Sequence, residues 1–318
     1  MRDVAVVAFA QSAHSFSDLG WTEADLVMPL VNEVLGATGL KRSEIGFTCS
    51  GSNDYLVGTP FSFVAALDTI GAWPPIAESH VEQDAAWALY EAWVRIQHGD
   101  IDTALVYGFG KGTVGDHVGI SSLGYDPYYL APLVPGHVAM AGLQARALKD
   151  AGFDVDPDPT PPPATDGAAA VILAAGDVAR RVCSRPAWIR GLDHRIEPHG
   201  IGARDLTRSA SAVLAAEQAG VAAGPVEFAE LHTRFEHEEV LLRQSLGLDE
   251  KTVVNASGGP RKADPLMATG LIRIGEAASR IHDGSAARVL AHATAGPCLQ
   301  HNLVCVLEAD SISPEGKR

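Results

Sequence analysis

Short apolar runs rich in β-branched residues alternate along the chain with segments whose apolar residues recur at helical spacing. The first run, residues 4–9, predicts a β-strand, and residues 23–38 follow with Leu26 and Leu30 on one helix face. A further strand is predicted at residues 45–49. Strands that alternate with helices in this way predict parallel βαβ units in an α/β protein.

Asp84 begins another helix, predicted to run to Gln97 with an apolar face of alanine, leucine and isoleucine. An aspartate at this point accepts backbone N–H groups of the first turn, so a helix cap is the simplest interpretation of Asp84. A second round of strand, helix and strand is predicted at residues 187–192, 207–219 and 226–231. The two rounds would then have a similar order of elements, although the residues themselves show no repeat.

Residues 154–163, DVDPDPTPPP, contain five prolines and three aspartates in ten positions. Proline has no N–H for a ladder or a helix interior, and aspartate favours turns. The segment is therefore predicted to be a surface linker.

The 318 residues carry a formal net charge of −15, which disfavours a nucleic-acid or anionic-membrane partner. No apolar run reaches the roughly 18 residues of a membrane span, and the N-terminal residues resemble a strand more than a signal peptide. The spacing of the cysteines favours neither a disulfide framework nor a zinc site. A cytoplasmic location is expected.

The segment at residues 255–270, NASGGPRKADPLMATG, resembles the Gly-Gly and His-Pro loop of thiolases, with Asp264 where the family has histidine before proline. Four further segments follow thiolase order: GDIDTALVYG (99–108), TDGAAAVILA (165–174), AELHTRF (229–235) and LQHNL (299–303). The third of these stands where thiolases have N-E-A-F and sterol carrier protein thiolases have H-D-C-F. Together they indicate the sterol carrier protein and lipid-transfer branch of the thiolase superfamily.

The resemblance implies a duplicated five-layer αβαβα fold, with an N-terminal half at residues 1–185 and a C-terminal half at 186–318. Thiolases also carry a long loop domain that helps to hold coenzyme A. Here only residues 109–164 are available for it, so a reduced loop domain is expected.

The resemblance also implies that cysteine chemistry is lost. Thiolases attack a thioester with a cysteine at the start of a buried helix, and the aligned position here is Glu82 or Ala85, depending on the gap chosen. The family's second cysteine aligns with Thr294, while Cys298 lies four residues later and stays a candidate.

The oxyanion-hole position of the family falls on His232, whose neutral imidazole N–H suits an enolate oxygen. A base is still required, and Glu82 or Asp264 is predicted to supply it, with Tyr128 or Tyr129 as alternatives. The glycine pair at 258 and 259 permits close backbone approach, and Gly258 and Gly259 are predicted to contact the ligand. Coenzyme A is expected as part of the substrate, with no separate cofactor and no metal.

Two functions remain open from the sequence. The first is retro-aldol cleavage of a β-hydroxyacyl-CoA, as in lipid-transfer proteins of sterol side-chain degradation. The second is a non-catalytic subunit, partnered by a catalytic thiolase or by an OB-fold, zinc-ribbon acyl-CoA-binding protein. The retained His232 favours the lyase, whereas the altered positions and the reduced loop domain favour the subunit. A homodimer or heterodimer through the N-terminal sheet edge is expected in either case.

Overall fold

The computed structural model describes residues 2–71, 77–114, 116–133 and 135–310. The halves predicted from the sequence, 1–185 and 186–318, also include some residues that lie outside these described ranges. The strands within them are β1 (Val4–Gln11), β2 (Phe47–Gly51), β3 (Glu78–Val81), β4 (Thr103–Lys111), β5 (Asp166–Ala175), β6 (Ala187–Ile196), β7 (Phe228–Glu230), β8 (Val253–Val254), β9 (Arg288–Ala295) and β10 (His301–Glu308).

Eleven α-helical segments occur in the same ranges. They are α1 (Glu23–Thr38), α2 (Asp54–Val57), α3 (Leu67–Ile70), α4 (Ala85–His98), α5 (His117–Leu123), α6 (Gly136–Asp150), α7 (Gly176–Val182), α8 (Ala210–Gln218), α9 (Glu236–Ser245), α10 (Gly259–Lys262) and α11 (Thr269–His282). The predicted helix at 23–38 is confirmed residue for residue, since Thr22 and Asp25 form a capping box and Gly39 ends the helix with φ 68°.

The described strands form one ten-stranded sheet in the order β3-β2-β4-β5-β1-β6-β10-β9-β7-β8. Counted outward from the centre, each side has its first strand, then its fifth, fourth, second and third. The directions match as well: two antiparallel pairings are followed by two parallel ones on each side. The two sides meet where β1 pairs antiparallel with β6.

Helices cover both faces of this sheet, so the architecture is α/β. Helices α4 and α11 contact each other and share one apolar core with strands from both sides of the sheet. The opposite face of the sheet is covered by α1 over the strands of the first half and by α8 and α9 over the strands of the second half. The starts of α4 and α11 are thereby brought close together, and this junction positions the site described below.

Residues 109–164, predicted to be a short loop region, contain both α5 and α6. Both helices contain an internal glycine, Gly119 in α5 and Gly142 in α6, and glycine disfavours helices. The proline-rich segment 154–163 has no helix or strand, in agreement with its composition. No helix among the described residues is long and apolar enough to cross a membrane.

Candidate active site

A cavity of about 540 Å³ lies where the ends of several strands meet α5, α6 and the proline-rich segment. Its walls include the turn after β7, the loop that leads into α11 and the loop between β9 and β10. Three of the predicted site residues, His232, Asp264 and Cys298, line this cavity. Side chains from three separate segments of the chain therefore line one cavity.

Glycines in β4 allow the loop before α11 to lie directly on the strand. A Cβ atom on Gly110 would stand 1.9 Å from the carbonyl oxygen of Leu266, and one on Gly108 would stand 2.5 Å from that of Met267. Any other residue would push this loop outward. The GFG sequence of β4 thus has a packing role: it brings Asp264 to the cavity.

Asp264 is buried, with 3% relative exposure, and is bound on both carboxylate oxygens. Its Oδ2 accepts from Arg234 Nε at 2.7 Å and its Oδ1 accepts from Thr269 Oγ1 at 2.8 Å, while its backbone N–H donates to Thr165. Burial by itself raises the pKa of Asp264, but Arg234 and Thr269 outweigh it, and the pKa lies below its ordinary value. Asp264 is therefore an ionised carboxylate at neutral pH.

His232 is buried and neutral. Burial has the largest effect and lowers the pKa of His232 to about 3, despite the opposing effect of Asp264. Its Nδ1 accepts the backbone N–H of Thr294 at 3.4 Å, which leaves the proton on Nε2. Within the described residues Nε2 has no hydrogen-bond partner, and it stands 3.8 Å from Asp264 Oδ1, too far for a direct bond. Its N–H is thus a buried donor without an acceptor in the described part of the protein.

Asp84 also lines the cavity and caps two helices at once. Its side chain accepts from Ala86 N at the start of α4 and from Gly270 N and Leu271 N at the start of α11. Burial raises the pKa of Asp84 to about 6, although these three N–H bonds lower it. The predicted cap is confirmed, and the second helix it binds explains why the two buried helices begin side by side.

Glu238, at the start of α9, is a third buried carboxyl group in the cavity wall. Its Oε2 accepts from Arg234 N at 2.7 Å and from Phe235 N at 3.1 Å. Burial raises the pKa of Glu238 to about 7, against the lowering by Phe235 N–H and by Arg234. Near neutral pH this group is therefore close to half protonated.

Cys298 lies in the wall as a neutral thiol. Burial raises the pKa of Cys298 to about 12, and its Sγ donates to the carbonyl oxygen of Met140 at 3.2 Å. Its backbone has φ 54°, and Arg204 holds the turn by donating to its carbonyl oxygen. A thiol of this kind is a poor nucleophile because the thiolate is the reactive form.

The other predicted site residues lie outside the cavity wall. Glu82 is exposed, and its carboxylate accepts from Asp54 N at 2.6 Å, which fixes the loop after β2. Tyr128 and Tyr129 are 82% and 79% exposed, on a turn whose N–H groups are bound by Asp126.

Gly258 and Gly259 do not line the cavity either. They form the entry to α10, with φ of 101° and 63°. Both angles lie in the left-handed region, so the glycine pair makes a turn at this point.

Arg234 and Glu238 are cavity residues that sequence reasoning missed. The signal for Arg234 was its place in AELHTRF, where the thiolase motifs have alanine or cysteine. Glu238 carried only the signal of a helix-start glutamate, three residues after Phe235, whose backbone N–H its side chain accepts. Among the described residues, no three His, Cys, Asp or Glu side chains are grouped as metal ligands.

No protein-family model and no curated protein matches this chain. Among solved structures, it is similar to one described as "Ltp2-ChsH2(DUF35) aldolase", with a TM-score of 0.76. The likeness covers 98% of both chains at 16% sequence identity. At this identity the comparison shows a shared fold only. The chemistry has to be inferred from the residues of the site.

Proposed function

We propose that this chain is a carbon–carbon lyase of the aldolase type, which cleaves a β-hydroxyacyl-CoA by a retro-aldol reaction without a cysteine acyl-enzyme. One observation carries the proposal: the neutral His232 presents an unpartnered N–H 3.8 Å from the ionised Asp264 within one cavity. The aldolase fold of the structural neighbour supports it. The identical strand order of the two sides of the sheet supports a duplicated five-layer fold, with halves at 1–185 and 186–318.

The reaction requires one proton acceptor and one oxyanion donor. A base removes the proton of the β-hydroxyl group, the hydroxyl carbon becomes a carbonyl, and the Cα–Cβ bond breaks. The electron pair of that bond passes to the thioester enolate, whose oxygen needs a hydrogen-bond donor. Protonation of the α-carbon then completes an acyl-CoA and a ketone or aldehyde.

The cavity residues fit these two roles. His232 Nε2–H donates to the enolate oxygen, and it is suited to this because it is neutral and has no competing acceptor. Asp264 takes the hydroxyl proton, since it is already ionised and stands beside His232. Cys298, the one cysteine of the described cavity wall, is a thiol and forms no acyl-enzyme.

The test is an assay of the purified chain with β-hydroxyacyl-CoA thioesters, with detection of the acyl-CoA and the carbonyl product. His232→Ala should lower turnover about a hundredfold or more, the usual cost of removing one oxyanion donor. His98→Ala is the matched control, because His98 is exposed at the end of α4. Inactive wild-type protein, alone and with any genetically adjacent partner, or a fully active His232→Ala variant, would refute the lyase assignment.

A second candidate is a subunit that acts in a hetero-complex. The observation that favours it is a set of exposed apolar side chains beside the cavity: Leu123 is 68% exposed, and Tyr128, Tyr129 and Leu133 are 73–82% exposed. The neighbour's name joins two components, one of them a DUF35 protein. We propose an OB-fold acyl-CoA-binding protein or a second thiolase-like chain as the partner, and co-purification with the product of an adjacent gene tests this.

A further inference from the structure

Glu238 is a buried carboxyl group of the cavity. The base Asp264 and the oxyanion donor His232 do not account for the protonation of the α-carbon. Its side chain lines the same cavity as His232 and Asp264 and is 6% exposed. Arg234 joins the two carboxyl groups, because its side chain binds Asp264 and its backbone N–H binds Glu238. Both groups are therefore fixed by one residue at one end of the cavity.

The two carboxylate oxygens of Glu238 have different surroundings. Oε2 accepts two backbone N–H groups, from Arg234 and Phe235, which fixes the orientation of the carboxyl plane. Oε1 has no hydrogen-bond partner among the described residues. It is also not fully buried. A proton on Oε1 can therefore be presented to a ligand without the loss of a bond that holds α9.

We propose that Glu238 is the general acid of this site and protonates the α-carbon of the enolate after the carbon–carbon bond breaks. The inference rests on the proposed retro-aldol function and assigns its last proton transfer. Asp264 is the base and Glu238 the acid, so the two carboxyl groups divide the proton transfers between them.

The environments of the two groups support this division. The Arg234 guanidinium holds Asp264 ionised, whereas burial raises the pKa of Glu238 to about 7 and keeps a proton on it near neutral pH. Arg234 and Asp264 are the charged side chains that act on Glu238, and Glu238 in turn raises the pKa of Cys298. Two carboxyl groups with pKa values moved apart are the usual mark of an acid and base pair.

The proton balance closes without an external reactant. The hydroxyl proton passes to Asp264, the Cα–Cβ electron pair becomes the enolate, and the proton on Glu238 Oε1 moves to the α-carbon. Protonated Asp264 then loses its proton to water in the cavity and Glu238 regains one. The enzyme returns to its starting state.

Exchange of α-protons isolates this step. In D₂O, removal and return of an α-proton of acetyl-CoA or propionyl-CoA needs Glu238 and His232 but no β-hydroxyl group. Wild type should incorporate deuterium. Glu238→Gln should do so at least about a hundredfold more slowly, because a general acid or base usually contributes about this much. Asp264→Asn should keep exchange and lose cleavage, which separates the two carboxyl groups.

Matched variants guard against loss of the fold. The Gln amide oxygen can accept the same two backbone N–H groups, and Glu238→Asp keeps a titratable carboxyl and should retain part of the exchange. Glu239→Gln is the control, because Glu239 lies outside the cavity and pairs with Arg243. Circular dichroism of each variant verifies the fold.

The outcomes separate the inference from the proposed function. If wild type cleaves a β-hydroxyacyl-CoA and Glu238→Gln exchanges at the wild-type rate, Glu238 is not the acid and the lyase assignment stands. If wild type exchanges through Glu238 but cleaves no substrate, Glu238 transfers an α-proton, and both the lyase assignment and the role of Glu238 as its last acid fail. Absence of both activities in wild type overturns both.

Discussion

Arg234 Nε donates to Asp264 Oδ2 at 2.7 Å, and this contact joins two positions at which the chain departs from the thiolase motifs. Arg234 is the third residue of HTRF within AELHTRF, where those motifs have alanine or cysteine, and Asp264 stands before proline where they have histidine. The two departures compensate each other in charge, because a buried carboxylate needs a counter-ion. An ion pair therefore lies at this wall of the cavity.

Arg234→Met should destabilise the protein, because it leaves Asp264 buried without its cation. The free energy of unfolding should fall by about 3 kcal/mol, the lower end for breaking a buried pair, since the arginine side chain is partly exposed. The double variant Arg234→Met/Asp264→Asn should recover part of this loss. Urea unfolding measures both, and Arg261→Met, which breaks exposed pairs, should cost less than about 1 kcal/mol.

The pH dependence of cleavage should follow the protonation of Glu238. The acid must carry its proton, so kcat/KM should fall as pH rises through about 7, the raised pKa of Glu238. Asp264 has a lowered pKa and stays ionised in this range, so it adds no loss near neutral pH. A profile that keeps rising from pH 6 to pH 9 would contradict the assignment, and the residual activity of Glu238→Gln should lack the decline.

No acyl-enzyme should form on cysteine. The cavity thiol, Cys298, has a pKa raised to about 12, and Cys49 and Cys305 are buried with equally raised values. Intact-mass measurement after incubation with an acyl-CoA should show the unmodified chain. A covalent acyl adduct that one Cys→Ala change abolishes would show that thiolase chemistry persists.

Buried neutral histidines should make stability depend on pH below 7. Burial lowers the pKa of His237 and of His292 to about 4, and unfolding returns each to its ordinary range. Their contribution is present above about pH 6.5 and is lost as pH falls through about 4, because the unfolded chain binds the protons first. His237→Gln should therefore lose less stability than wild type between pH 7 and pH 5, as measured by thermal unfolding. Equal losses would refute this.

Strand β3 should pair with another chain. It lies at the edge of the sheet and bonds to β2 on one side only within the described residues. An uncovered edge favours further strand pairing, so we expect a homodimer or a heterodimer. Light scattering of the purified chain should give about twice its mass of 33.4 kDa. A monomer, with and without a candidate partner, would count against this pairing.

The sequence by itself determined several local elements, among them α1 and the start of α4, and it singled out His232. Helix α1 is bounded by Thr22 and Gly39, and Asp84 caps α4, because caps and periodicity act between residues that are neighbours in the chain. The AELHTRF segment located His232 through its resemblance to a short motif. These features depend on bonds that span only a few residues.

The tertiary structure decided which carboxyl groups enter the cavity and what their charges are. Glu82 and Asp84 are two residues apart, yet Glu82 binds a surface loop while Asp84 is buried between two helix starts. Arg234 and Asp264 meet only because the loop before α11 lies on the glycines of β4. Glu238 is buried in the cavity wall and bound by two backbone N–H groups, whereas its neighbour Glu239 pairs with Arg243. Desolvation and counter-ions are properties of the three-dimensional surroundings, so no local pattern could supply them.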